Sequence, residues 1–309
     1  MIAPGARLAL RAALPWLLGL AGATAAGAAE PARAIPFSAF GHEAEIGTLG
    51  GESANAALEA ARDRVAEIEK HLAEVAPGDG APHPADKSVL ELLDKAQGAC
   101  FWSDGLLAPF GRGPALEAKG PRPEGPALCY RARIDRTAGT VALAPGARLD
   151  LREFAAGFAV DGATEVLKAR GLDRGWVRIG DVRRVFGEGL RPGSGFWIPP
   201  PPQARRLDPD FRGFSLRDRA FAVAATSDDP PHLDQRTGQG ASGSAVVLAV
   251  ADLAVDAQLL AATMLLAGSR AGELRLGSLR SDSSILWLYG TGEGLPLYVE
   301  HKWSEVRKK

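Results

Sequence analysis

The stretch "LDLREFAAGFAVDGATEVLKARG", residues 149–171, sets an acidic, glycine-bearing entry before an alanine-rich helix that ends on Gly171. Such a segment reads either as the wall of a nucleotide site or as a well-packed helix. Asp161 within it, and Asp234 in "HLDQRTGQGASGS", are residue types that hold a polar ligand or cap turns and helix ends. His232, between Pro231 and Leu233, is an acid or base, or an exposed loop residue. Asp256 opens an apolar helix, where a carboxylate binds a cation or complements the helix dipole. The serines of "GASGSA" lack the Gly-x-Ser-x-Gly elbow that a serine hydrolase needs between a strand and a helix. Cys100 and Cys129 have no metal-ligand partner at short spacing, which leaves a disulfide or two separately buried thiols.

These residues must be held by a mixed set of elements. The spacing of Leu58, Val65, Ile68, Leu72 and Val75 predicts a helix over Ser53 to Ala76 with its other face solvated. A strand is expected at "FGHEAEIG", and a second helix over Ser88 to Ala96. Short strands around Gly139 precede a helix from about Phe154 to Arg170. "GWVRIGDVRRVFGEG" reads as strand, glycine turn and strand. Then come the strands "AFAVAATS" and "AVVLAVA", a helix from about Val255 to Leu266, and the strands "ILWLYG" and "LPLYV". Residues 111–127 and 188–210 read as irregular surface loops. Helices and strands mix without a regular parallel repeat, so the fold class is α+β. Trp176, Trp197 and Trp287 read as core or rim packing before ligand-stacking platforms.

The 309 residues carry a formal charge of -1, with 46% hydrophobic and 24% charged residues, an ordinary globular composition. That balance gives no pull toward nucleic acid or anionic lipid. Arg7 and Arg11 precede the apolar run "AALPWLLGLAGATAAGAA", the layout of a secretory signal over residues 1–34, with cleavage after Ala26, Ala29 or Ala34. The other reading is an uncleaved N-terminus, the one route to a membrane. A single domain over residues 35–309 and a periplasmic location follow.

Three ordered segments resemble the FAD:protein FMN transferases, the ApbE-type flavin transferases of bacterial periplasms. The first is the helix start over 149–171, similar to Asp-Leu-Gly-Gly-Ile-Ala-Lys-Gly-Tyr-Ala-Val-Asp. The second is "WVRIGDVRRVFGEG", similar to Val-Asn-x-Gly-Gly-Asp-Ile, and the third runs from the His232 loop through "AVDAQLLAAT". "FGHEAEI" and "SDGLLAPF" are weaker matches that spread the likeness over most of the mature chain.

The resemblance implies transfer of FMN from FAD to a Thr or Ser of an exported flavoprotein, with magnesium offsetting the pyrophosphate charge. It assigns Gly157, Phe158, Asp161, Gly180, Asp181, Thr237 and Gly238 to the cofactor, His232 to catalysis, and Asp256, Thr263 and Glu153 to the metal. The sequence departs from the pattern at several places. Ala156 stands for the family's lysine, Arg152 and Glu153 for two glycines, Arg178 for the asparagine, and Leu260 for a metal-binding oxygen ligand. Leu107 and Ala108 replace a Phe-Asp pair; Pro231 falls at the family's histidine position with His232 one step late, and a one-residue deletion would restore the histidine. The alternative reading is therefore a catalytically inactive flavin-binding or accessory protein of an exported redox system.

Overall fold

A computed structural model describes residues 32–50, 54–76, 78–112, 125–278, 282–292 and 295–307. The chain opens on a hairpin of β1 (Ala32–Ala39) and β2 (His42–Leu49). Phe40 and Gly41 turn it, both at positive φ, as a two-residue turn with the twist of its strands requires. Thus "FGHEAEIG" is a turn followed by a strand, not one strand. The Glu69 carboxylate of α1 (Ala54–Ala73) accepts the Phe40 N–H at 2.8 Å and fastens the turn to the helix. β1 begins at Ala32, inside the stretch read as a signal; residues 1–31 lie outside the described residues.

Beyond β3 (His83–Pro84), α2 (Lys87–Trp102) is longer than the Ser88–Ala96 expectation, because Ala99 and Cys100 continue its buried face. β4 (Phe110–Arg112) precedes residues 113–124, where most of the expected 111–127 loop lies outside the described residues. A 3-10 helix, Gly125–Arg131, brings Cys129 to Cys100, and the two form a disulfide. β5 (Ala132–Asp135) and β6 (Thr140–Leu143) form the hairpin around Gly139; β7 (Ala147–Leu149) pairs with β4. α3 (Ala155–Ala169) follows, then β8 (Gly175–Ile179) and β9 (Val182–Phe186).

Residues 188–210 are more ordered than their glycines and prolines suggest. They contain β10 (Phe196–Ile198), paired with β11 (Phe214–Leu216), and α4 (Pro202–Leu207). Pro202 stands in the first turn of α4, where its missing N–H and fixed φ do no harm. Ile198, Ala204 and Phe211 supply the apolar contacts that hold the segment on the sheet.

The remaining strands are β12 (Ala220–Ala225), the short hairpin β13 (Leu233–Asp234) and β14 (Gln239–Gly240), β15 (Ala245–Ala251), β16 (Ser284–Tyr289) and β17 (Leu297–His301). α5 (Ala254–Leu276) lies between β15 and β16, and α6 (Trp303–Arg307) ends the described chain. Eight strands form one antiparallel sheet in the order β1-β2-β8-β9-β12-β15-β16-β17. With the segregated helices this is the α+β class expected.

The central strands β12 and β15 are buried on both faces, which explains their unbroken apolar runs. Toward the helices they present mostly alanines, Ala222, Ala224, Ala249 and Ala251, so α5 can lie close. The opposite face carries Phe221, Val223, Leu248 and Val250 under Trp303 and β10–β11. A further core, with Leu92, Leu93 and Phe110, joins α2 to Phe154, Val255 and Leu259.

α5 extends past the expected end at Leu266 because it breaks and resumes at Gly268, which has φ of 70°. β16 supplies partners there: Trp287 Nε1 donates to Met264 O at 3.0 Å, and Tyr289 Oη accepts the Ser269 N–H at 2.9 Å. Trp287 is thus core, as its sequence context suggests, while Trp197 is 63% exposed.

The disulfide yields a prediction. Its cysteines are 29 positions apart, and cross-linking a loop of that length stabilises by about 3 to 4 kcal/mol on the chain-entropy model. Replacing both cysteines by serine should lower the unfolding free energy by that amount in urea titrations. A loss below about 1 kcal/mol would contradict the account.

Candidate functional site

The site is organised by a helix start that cannot cap itself. The residue before α5 is Leu253, with no side-chain acceptor for the exposed N–H groups. Asp161 of α3 takes that role from a neighbouring helix. Its Oδ1 accepts from Ala254 N at 2.9 Å, and its Oδ2 from Val255 N at 3.0 Å. Arg184 of β9 adds an ion pair at 3.0 Å and reaches Glu165 at 3.1 Å. Burial pushes the Asp161 carboxyl above the usual range, partly offset by these donors and by Lys95.

This approach requires Gly157. A Cβ there would stand 2.6 Å from Val255 Cα and 2.7 Å from Ala254 O, so the helices cross backbone to backbone. Gln258 of α5 then accepts the Gly157 N–H at 2.7 Å and donates to Arg152 O at 2.8 Å. The entry to α3 is tied to α5 at both points. Ala156 is buried among the core residues beside it, and Phe158 packs half-buried between the two cores.

On the other side of this junction His232 lies between two carboxylates. Its Nδ1 is 2.8 Å from Glu153 Oε1 and its Nε2 2.9 Å from Asp228 Oδ2. Burial alone would lower the imidazole pKa, but hydrogen bonds donated to Asp228 and Glu153, with the charges of those carboxylates, push it up to about 10. At neutral pH it is an imidazolium with both N–H groups engaged. Asp228 is held below the usual range: burial raises it, but His232 and the Ala225 N–H at 2.7 Å outweigh this.

The network continues through Gln203, which donates to Asp181 Oδ2 at 2.7 Å and also favours ionised Asp228. Burial pushes Asp181 up, and the nearby Asp228 adds to the shift. Gly180, at φ of 55°, makes the β8–β9 turn that presents Asp181, with no room to spare against the His42 ring.

Thr237 and Gly238 sit in the tip of the β13–β14 hairpin, where Gly238 has φ of 73°. Asp234 builds this tip. Its carboxylate accepts from Arg236 Nε at 3.0 Å and Nη2 at 2.9 Å, and its carbonyl accepts from Thr237 and Gly238. The Gln235 N–H donates to Leu106 O at 3.0 Å, docking the loop on the turn after α2.

Two of the three residues assigned to magnesium have other partners, and the third has none. Glu153 is engaged by His232, and Asp256 is 2.9 Å from Lys95 Nζ. The Thr263 hydroxyl is buried without a hydrogen-bond partner, two turns along α5 and about 10 Å up the axis from Asp256. Among the described residues no group of three or more His, Cys, Asp or Glu is placed to hold a metal ion. The donor set therefore does not fit magnesium. Two hollows of about 460 and 530 Å³ lie on the β10–β11 side of the sheet and include no residue of this network.

Gln258, Asp228, Gln203, Arg184 and Lys95 were not singled out from sequence. Only Asp228 left a local signal, standing four positions before His232. The others act across long separations that no spacing reveals.

The ApbE family model matches residues 52–282. Among solved structures, the chain is similar to the flavinyl transferase ApbE of Pseudomonas stutzeri in its apo form, with TM-score 0.70 and 17% identity over 90% of this chain and 97% of that one. The ApbE protein of Thermotoga maritima gives 0.69 and 17% over 90% and 100%, and the flavin transferase ApbE of Vibrio cholerae 0.68 and 16% over 88% and 97%. At these identities the structures establish a shared fold. No curated protein sequence matches the chain.

The His232 clamp gives a pH prediction. A folded-state pKa raised from 6.5 to about 10 means its stabilisation is fully present below 6.5 and is lost as pH rises through 10. His232→Gln should destabilise by about 3 to 5 kcal/mol near pH 6.5, since it breaks a buried charge pair. In denaturant titrations the gap from the unsubstituted chain should shrink steadily toward pH 10. A gap independent of pH would contradict the clamp.

Proposed function

The chain belongs to the ApbE family, and on that premise we propose that it is an exported flavin transferase that moves FMN from FAD to a Thr or Ser of a partner flavoprotein. In this reaction the acceptor hydroxyl oxygen forms a bond to the phosphorus of the FMN half. The phosphoanhydride bond to AMP breaks, AMP leaves with the electron pair, and the hydroxyl proton is lost to a base or solvent. Such chemistry depends on positioned charge and hydrogen-bond donors more than on covalent help from the protein.

The observation that carries this reading is the meeting of three distant segments at one junction: the entry to α3 at Glu153 and Gly157, the loop from Asp228 to Gly238, and the start of α5. The N–H groups of Ala254, Val255 and Gly157 at this junction are already taken by Asp161 and Gln258, so charge for a bound diphosphate comes from side chains. Phe158 and the turn at Gly180–Asp181 would flank the nucleotide. His232 would anchor the loop as a fixed cation, because both ring nitrogens are already committed. Magnesium finds no fitting donor set here, so no step is routed through it.

The same engagement of His232 favours a second reading, a flavin-binding accessory protein without transfer activity. The mature protein incubated with FAD and a Thr-containing acceptor flavoprotein, with and without magnesium, separates the two. Transfer predicts an intact-mass increase of one FMN phosphoester on the acceptor and matching AMP. FAD retained in the yellow protein without either product would establish the accessory reading; neither binding nor product would overturn both.

A further inference from the structure

The carboxylate that the family resemblance assigns to magnesium already has a cation from within the chain. Lys95 stands on α2, whose neighbouring residues Leu92, Leu93 and Ala96 are fully buried and so fix where the lysine emerges. Its Nζ lies 2.9 Å from Asp256 Oδ1, with the lysine and aspartate side chains 32% and 35% exposed. The charge of the same ammonium also favours the ionised form of Asp161. We propose that Lys95 is a built-in cation, which occupies Asp256 in place of magnesium and meets the diphosphate of a bound dinucleotide directly.

The existing pairing supports this. Asp256 already faces the Lys95 ammonium, and Asp161 faces the Arg184 guanidinium that Glu165 shares. A divalent ion at Asp256 would have to displace the ammonium.

Ligand supply supports it as well. Magnesium demands near-octahedral oxygen coordination at about 2.0 to 2.1 Å. Of the side chains near Asp256, Leu260 one turn on is apolar and 2% exposed. Thr263 is another turn nearly along the same axis, and both oxygens of Asp161 are taken by the α5 backbone. One carboxylate remains. A lysine needs only that one, and with a third of its side chain exposed it can bind a phosphate oxygen as a point charge. Lys95 thereby supplies a positive charge that Ala156, a methyl group at the position where the resemblance expects a lysine, does not.

The diphosphate half of the inference rests on the flavin-transfer reading; the metal half does not. Titration of the flavin-free protein with manganese, followed by electron paramagnetic resonance, tests the metal half. The expected result is no bound ion at Asp256: either none at all, or one that persists unchanged in Asp256→Asn. One equivalent of manganese that disappears in Asp256→Asn would overturn the proposal.

FAD binding measured by flavin fluorescence tests the other half. Affinity should be the same in magnesium and in a chelator, should fall at least tenfold in Lys95→Met, and should recover in Lys95→Arg. Unchanged affinity in a folded Lys95→Met protein would overturn the role at the diphosphate. Failure of the unsubstituted protein to bind FAD would instead count against the flavin reading, with the manganese result still deciding what Asp256 holds.

Discussion

The two hydrogen bonds from Asp161 to the first N–H groups of α5 are the constraint on which the rest of the site depends. Without them the start of a buried helix after Leu253 would leave donors unsatisfied, an expensive condition away from water. The bonds also set the distance between α3 and α5. That distance is short enough that Gly157 tolerates no side chain. Once the helices are locked, Gln258 falls in reach of Gly157 and Arg152, and Asp256 turns toward Lys95. Arg184 adds the sheet to the same node, so α3, α5 and β9 hold one geometry.

A second network fixes the loop against this node. Glu153, His232, Asp228, Gln203 and Asp181 run from the α3 entry across to the β8–β9 turn. An imidazolium held between two carboxylates is a firm tie at neutral pH, and it leaves little unpaired charge. At this junction the His232 imidazolium is committed to its two carboxylates, and the Lys95 side chain stands partly exposed beside Asp256.

The large elements were legible because their patterns are local. The stripe of α1, the strand, turn and strand of β8 and β9, and the unbroken apolar run of β15 reflect which faces are buried, and Gly157, Asp161 and Gly180 stood in recognisable order. What was not legible is pairing across the chain. Lys95 and Asp256 meet only because α2 packs on α5 through Leu259 and its neighbours, and neither residue's surroundings in sequence announce the other. The 188–210 segment was misread for a related reason. Its prolines look like breakers, while the apolar side chains that place it find their partners on distant strands. The continuation of α5 past Gly268 likewise depends on Trp287 and Tyr289 of a later strand.

The central claim is that the dinucleotide occupies the junction of α3, α5 and the His232 loop. Hydrogen–deuterium exchange of the protein with and without FAD tests it most directly. Slowed exchange on FAD addition at residues 152–158, 228–238 and 254–258 is the result this geometry predicts. Protection confined to the β10–β11 side of the sheet, or absent altogether under saturating FAD, would contradict it.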